Sequence, residues 1–162
     1  MSALLAGRPA FDRDTLADFL TAYCDSLDDG HFDEWPSFFT DDARYSVTTA
    51  ENRSKGYPAG MIDCIGKPMM RDRIYALTSA NVFEPHTYRH VLSLPRVLGR
   101  EPGGLRVKTA FMVMRTMAAR QSEPFLCGYY DDLLVDDGGP RLKSRTVVCD
   151  ASLIDMLIVI PL

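Results

Sequence analysis

The segment from Glu84 to His90 holds the residue types most able to do chemistry in this chain. It reads Glu-Pro-His-Thr-Tyr-Arg-His and contains two of the three histidines. Two histidines four positions apart beside a carboxylate can bind a metal ion when the segment is helical. Pro85 and the alternation that follows favour a strand, in which four residues span about 13 Å, too far for one ion. We therefore predict no metal site here.

An acid–base pair is a second chemical possibility for the same strand. Asp41 or Asp42, which follow the second predicted helix, could line a pocket in a curved sheet together with His90 and Tyr45. A carboxylate and an imidazole held in such a pocket can transfer protons in a dehydration or an isomerisation. The alternative is that the aspartates are helix-end and turn residues, that Tyr45 belongs to the core and that His90 is a hydrogen-bonded sheet residue.

A basic loop is predicted at residues 52–56, which read Asn-Arg-Ser-Lys-Gly. Its tip could bind a carboxylate or a phosphate, contact another subunit, or simply be solvated. The sequence has no phosphate-binding glycine motif and no nucleophile elbow. No reaction type can therefore be assigned to this loop from its sequence.

In the first half of the chain, the elements expected to position the candidate residues include three helices. Apolar residues at helical spacing predict a first helix, which Asp12 caps and Gly30 follows. They are Leu16, Phe19, Leu20, Tyr23 and Leu27. A short second helix is predicted around Trp35, with Asp33 as its N-cap because Pro36 is tolerated only in a first turn. Pro68 opens a third helix.

Strands are predicted wherever apolar and polar residues alternate with a period of two. The predicted strands cover residues 43–50, 61–65, 87–97, 105–117, 125–130 and 141–148, with a polar loop at 51–60 and a hairpin turn at 136–140. The end of the chain, 152–162, is ambiguous between a strand and a docked helical turn. Helices followed by long antiparallel strands predict an α+β fold. We expect a single domain over 11–162 after a flexible N-terminus, 1–10.

Composition excludes several classes of function. The chain has 162 residues, 46% of them hydrophobic and 25% charged, which is typical of one globular domain. Residues 1–42 carry ten acidic and two basic side chains, so no dense basic patch for nucleic acid is expected. The longest apolar run, Met156 to Leu162, is too short to span a bilayer. Without a predicted export signal, we expect a cytoplasmic protein with four reduced cysteines.

Several separated strings in this chain are familiar together. They are WPSFFTDD from Trp35, YSVT from Tyr45, ENR from Glu51, MRDRIYAL from Met70, YRHVL from Tyr88, GYYD from Gly128, and the closing stretch from Val148 to Leu162. In order and spacing they resemble one family, the small (beta) subunit of aromatic-ring-hydroxylating dioxygenases. The resemblance covers about residues 14–162 and is nearest to subunits of oxygenases acting on aromatic carboxylates such as terephthalate, anthranilate or salicylate.

The resemblance implies a fold, a role and partners. The fold would be the nuclear transport factor 2-like cone, in which N-terminal helices pack on a strongly curved, mostly antiparallel sheet. The chain would be a non-catalytic structural subunit, and the Rieske [2Fe–2S] cluster and mononuclear iron would lie in the large (alpha) subunit. Three small subunits would form a trimer within a hexamer of three large and three small subunits. The residues expected to orient these contacts are Asn52, Arg53, Tyr88, Arg89 and His90.

Two other functions remain open at this point. One is a stand-alone dehydratase or isomerase of the same fold, in which His90 acts with Asp41 or Asp42. The other is a ligand-binding module without catalysis. Turnover by the chain alone would favour the first of these, and saturable binding without turnover would favour the second.

Overall fold

The computed structural model describes residues 11–58, 60–80, 83–118, 121–152 and 158–162. The predicted flexible N-terminus, 1–10, lies outside these ranges. In chain order the elements are α1 (Arg13–Asp28), a 3-10 helix (Phe32–Phe38), β1 (Phe39–Thr49), α2 (Ala50–Ser54), β2 (Ile62–Ile65), α3 (Gly66–Tyr75), a π-helical turn (Ala76–Ala80), β3 (His86–Leu92), β4 (Arg96–Glu101), β5 (Gly104–Met117), β6 (Ser122–Asp136) and β7 (Pro140–Cys149).

The first helix forms as its sequence predicts. The Asp12 side chain accepts a hydrogen bond from the Thr15 backbone amide at 2.8 Å, so Asp12 is the N-cap. The predicted second helix is a 3-10 helix that starts after His31, and the prediction of Asp33 as its N-cap is wrong. Pro36 lies inside it and removes one amide donor, which favours this short, tight form over an α-helix. Within the described ranges, no helix is both long and apolar enough to cross a bilayer.

One sheet contains all seven described strands, in the order β2-β1-β7-β6-β5-β3, with β4 also pairing with β5. The β1–β7 pair is parallel, and the other described pairs are antiparallel. Strands β5 and β6 have 14 and 15 residues, and strands of that length must coil. Helix α1 packs against β3 and α3 against β1. The predicted α+β class, with helices on a mostly antiparallel sheet, is confirmed.

Several predicted boundaries are wrong. Strand β6 covers residues 122–136, whereas the predicted strand covers only 125–130. The predicted strand 87–97 is two strands, β3 and β4, which are separated at 93–95 by a break that contains Pro95. The first strand begins earlier than predicted, at Phe39. The predicted loop 51–60 opens with the short helix α2, because the Thr49 side chain accepts a hydrogen bond from the Asn52 amide at 3.0 Å.

The last described residues, 158–162, enter the core without forming a helix or a strand. The Leu162 carbonyl accepts a hydrogen bond from the Tyr23 hydroxyl at 2.8 Å. The Leu162 amide donates to the Tyr45 hydroxyl at 2.9 Å. Trp35 is buried beside them and donates its indole N–H to the Tyr23 hydroxyl at 2.8 Å. Buried side chains from α1, the 3-10 helix and β1 therefore hold the end of the chain.

Candidate functional site

A buried histidine–aspartate pair joins the end of α1 to β3. The Asp28 carboxylate accepts hydrogen bonds from the His90 backbone amide at 2.8 Å and from the His90 ring, with 2.6 Å between Nδ1 and Oδ1. The two side chains are only 1% and 0% exposed. Neither residue lines any of four clefts on the described surface. The pair is therefore enclosed, and its geometry suits holding α1 on the sheet.

The predicted acid–base pocket is not assembled. His90 pairs with Asp28, whereas Asp41 is 96% exposed and forms an ion pair with Lys67 at 3.0 Å. Asp42 is also exposed and accepts a hydrogen bond from Thr40. The physical reason is an irregularity in the β1–β7 register between residues 39 and 44, where both aspartates point to solvent.

The fourth pocket candidate, Tyr45, is a core residue. Its side chain is fully buried, and its hydroxyl accepts the hydrogen bond from the Leu162 amide. Burial raises the pKa of Tyr45 well above its usual value, so this phenol stays neutral and serves as a structural hydrogen-bonding group. A phenol in that position is not available to a substrate.

Strand β3 divides the interface candidates between its two faces. Successive side chains of a strand point to opposite sides. Tyr88 and His90 are buried inside the fold, whereas Arg89, between them, has a side chain that is 64% exposed. The prediction that Tyr88 and His90 form subunit contacts is corrected, since neither side chain lies on the described surface. Arg89 is available to a partner, because its nearest described anion is Asp28 at the long distance of 3.8 Å.

The other two interface candidates lie on α2, beside an ion-pair network on the outer face of the sheet. Asn52 is half-buried, and Arg53 is exposed and pairs with Asp131. Asp131 also receives two hydrogen bonds from Arg106, at 2.9 and 2.7 Å, and Arg106 pairs with Glu101. Burial raises the pKa of Asp131, but the two guanidiniums outweigh that effect and hold this pKa below its usual range.

A second, fully buried ion pair was missed from the sequence. Arg145 on β7 donates two hydrogen bonds of 2.8 Å to Asp132 on β6, and both side chains are 0% exposed. The guanidinium lies 4.1 Å from the ring centroid of Tyr23 and 3.9 Å from that of Tyr130. Arg141, Lys143 and Arg145 are two residues apart, so a regular strand would place all three on the same face. Nothing in the sequence indicates that Arg145 alone points inward.

The described residues contain no group of three or more histidine, cysteine or acidic side chains suited to a metal ion. His90 is already held by Asp28, and the described cysteines are not paired with each other. Burial raises the pKa of Cys24 and of Cys149 to about 12, so neither thiol is a ready source of thiolate. The described side chains therefore do not fit a Rieske cluster or a mononuclear iron.

Removing the Asp28 carboxylate should destabilise the fold. In Asp28→Ala, the backbone N–H and ring nitrogen of His90 lose a buried, charged acceptor, which should cost about 3 kcal/mol of unfolding free energy. Asp25→Ala is the matched control, since Asp25 is an exposed aspartate on the same helix. Urea unfolding measures both variants. Equal stabilities would show that the buried pair contributes nothing.

The family model for the ring hydroxylating beta subunit matches residues 24–156 of this chain. The matched segment includes the last turn of α1, the whole described sheet and both ion-pair networks. The chain belongs to the ring-hydroxylating beta subunit family.

Individual relatives agree with this family. The beta subunit 2 of the terminal oxygenase component of terephthalate 1,2-dioxygenase from a Comamonas species is 38% identical over 148 residues, which cover 91% of this chain and 96% of that protein. The small subunit of anthranilate 1,2-dioxygenase from Burkholderia cepacia is 32% identical, covering 86% of this chain and 88% of that protein. The beta-subunit family therefore holds over nearly the whole length of both relatives.

A solved structure supports the same family and fold. A chain from Novosphingobium aromaticivorans DSM 12444, assigned as the beta subunit of an aromatic-ring-hydroxylating dioxygenase, superposes with a TM-score of 0.82 at 32% identity. The match covers 91% of this beta subunit and 94% of that chain. The predicted nuclear transport factor 2-like fold and the resemblance to dioxygenase small subunits are both confirmed.

Proposed function

We propose that this beta subunit is the structural, non-catalytic partner of an iron-containing large subunit in an aromatic-ring-hydroxylating dioxygenase. The observation that carries the proposal is the 38% identity to a terephthalate dioxygenase beta subunit over 96% of that protein's length. The Rieske cluster and the mononuclear iron would reside in the large subunit, because the described side chains of this chain do not fit either group. The complex would act in the cytoplasm, in the breakdown of aromatic compounds.

We infer that the substrate of the complete enzyme is an aromatic acid. The relatives named above belong to enzymes for terephthalate and anthranilate, both of which are aromatic carboxylates. Selectivity for the ring and its position would lie with the large subunit that holds the iron. The small subunit would affect turnover through the stability of the assembly.

The surface of the chain supports contacts with other subunits. Large apolar side chains are exposed where β3, β4 and β5 pair: Val91, Leu94, Val97, Leu98 and Met112. Exposed apolar residues gathered in one region are typical of interaction sites. Arg89 lies on the same outward side of β3 as Val91, and arginine is enriched at interfaces. We assign Arg89, Arg53 and Asn52 to contacts in a hexamer of three large and three small subunits.

The decisive experiment is co-expression with the cognate large subunit, followed by native mass and iron analysis. The expected result is a complex of three large and three small subunits, with iron in the complex and none in this chain expressed alone. Failure of the two chains to associate would contradict the proposal. Turnover of small aromatic acids by this chain alone would also contradict it.

Arg89→Ala should weaken assembly while leaving the fold intact. Because Arg89 is mostly exposed and its ion pair is long, the free energy of unfolding should change by less than about 1 kcal/mol. Loss of an interfacial arginine should weaken association at least about tenfold. Size-exclusion chromatography with light scattering measures the assembled fraction, and Arg71→Ala, an exposed arginine on α3, is the control. Unchanged assembly would remove Arg89 from the interface.

A further inference from the structure

A polar cleft of about 440 Å³ lies on the outer side of the sheet, where β1 and β7 run parallel. A volume of this size is typical of small-molecule sites. Two arginines and four serine or threonine residues line it, and none of its described lining residues is acidic. These six are Arg44, Arg53, Ser46, Thr48, Ser144 and Thr146. Of these six, only Arg53 is among the subunit contacts proposed above, so those contacts do not explain the other five side chains.

The hydroxyl groups form the floor of the cleft. Ser46 lies opposite Thr146 in the β1–β7 register, and their hydroxyl oxygens are 3.4 Å apart. Ser46 and Thr48 are buried although they face outward on the sheet. Hydrogen bonds in such a recess are stronger than at an open surface, because less water competes for the same groups. The floor is therefore suited to bind an oxygen-bearing ligand.

The loop that follows α2 forms one wall of the cleft and contacts β1 closely. A Cβ atom at Gly60 would be 2.3 Å from the Val47 carbonyl oxygen, so only glycine fits there. The Met61 amide donates a hydrogen bond to that same carbonyl at 2.8 Å. Tyr57 and Pro58 line the cleft from this loop and add apolar surface to it. The cleft thus combines polar groups with an apolar wall.

The two arginines are held in place and retain free donors. Arg44 uses Nε and Nη2 to bind Asp63 at 2.9 and 2.6 Å, and Arg53 uses Nη2 to bind Asp131. A guanidinium has five N–H donors, so each arginine keeps donors for a further acceptor. Because each positive charge already has a carboxylate partner, the site favours a monoanion held by hydrogen bonds over a multiply charged anion.

We propose that this cleft binds the carboxylate group of a small organic acid. Arg44 and Arg53 donate to its two oxygens, the hydroxyl floor supplies further hydrogen bonds, and the apolar body of the acid lies against Tyr57 and Pro58. Arginine is well matched to a carboxylate because its planar fork can donate two hydrogen bonds to it. All the described lining residues belong to this chain, so the isolated chain tests the site separately from the assembly proposed above, in which Arg53 would also be a contact.

The test is a titration of the 162-residue chain with benzoate, in which chemical shifts of the backbone amides are measured by NMR. Benzyl alcohol serves as the neutral isostere and inorganic phosphate as the multiply charged anion. Benzoate should saturate shifts around the cleft, and both comparison ligands should bind at least about tenfold more weakly. Benzyl alcohol binding as tightly as benzoate, or no saturation by about 20 mM benzoate, would overturn the proposal.

Point variants distinguish binding in the cleft from a general effect of the protein's positive charge on benzoate. Arg53→Gln should weaken benzoate binding at least about tenfold, and the fold should survive because Arg106 still holds Asp131. Thr146→Val should weaken it by about threefold or more, since it removes one hydroxyl at nearly constant shape. Lys143→Gln on β7, an exposed cation that does not line the cleft, should leave binding unchanged. Wild-type affinity in Arg53→Gln would contradict the assignment.

Discussion

Asp132→Ala is expected to cost this protein about 3–5 kcal/mol of unfolding free energy, because it leaves the guanidinium of Arg145 buried and unpaired. The Asp132 carboxylate accepts both hydrogen bonds that the structure gives to Arg145, from Nε and Nη2. The contacts of Arg145 with the rings of Tyr23 and Tyr130 cannot replace a carboxylate. The loss is a large part of the 5–15 kcal/mol typical of a domain. Urea unfolding followed by circular dichroism measures it.

Two further variants distinguish a buried ion pair from a lost contact of any kind. Asp131→Ala, at the preceding residue on β6, should cost about 1 kcal/mol, because Arg53 and Arg106 reach solvent and become hydrated. The double variant Asp132→Leu with Arg145→Met removes both charges and should recover most of the stability that Asp132→Ala loses. A double variant as unstable as the sum of its single changes would contradict this account.

The same ion pair shows why the sequence predicted the strands but not the faces of β7. The alternation of Leu142, Ser144 and Thr146 predicts one shared face for these three residues. In the structure, Leu142 is buried, but Ser144 and Thr146 line the outer cleft and Arg145 points inward. The β6–β7 register shifts after Leu133, and a shift of one residue moves every later side chain to the opposite face.

That register shift also explains why the polar cleft could not be predicted. The floor of the cleft forms because the side chains of Ser144 and Thr146 point outward beside Ser46. A regular alternation that continues from Leu142 would point both of them inward. The basic loop was recognised as a possible carboxylate site from its residue types. The strand residues that complete it depend on the β1–β7 pairing, a parallel contact between strands about 100 residues apart. No local pattern encodes such a contact.

The buried pair of His90 and Asp28 could also be predicted only in part. The inward position of His90 follows from the alternation of β3, and the sequence is compatible with a hydrogen-bonded sheet histidine there. Its partner was not found, because Asp28 lies among the acidic residues at the end of α1 and resembles its exposed neighbours Asp25 and Asp29. Which of them turns inward depends on how α1 sits on β3. That packing is set by the whole core.

The closing segment is the second site at which a large effect is expected. Deletion of residues 158–162 removes five buried residues, four of which carry large aliphatic side chains: Ile158, Val159, Ile160 and Leu162. At about 1.5–3 kcal/mol for each side chain, the loss is roughly 6 kcal/mol or more, comparable with the whole stability of a domain. The deletion also leaves the Tyr23 and Tyr45 hydroxyls without their Leu162 partners. We expect a chain without cooperative urea unfolding and without a fixed near-ultraviolet dichroism signal.

Two point variants keep this prediction testable if the truncated chain does not fold. Leu162→Ala retains the backbone hydrogen bonds but empties a fully buried position, so it should cost about 2–5 kcal/mol. Tyr45→Phe retains the ring but removes the hydroxyl that accepts from the Leu162 amide, so it should cost about 1–3 kcal/mol. Wild-type urea midpoints in both variants would show that the end of the chain does not stabilise the core. Losses in both would establish that the last described residues stabilise the core of the beta subunit.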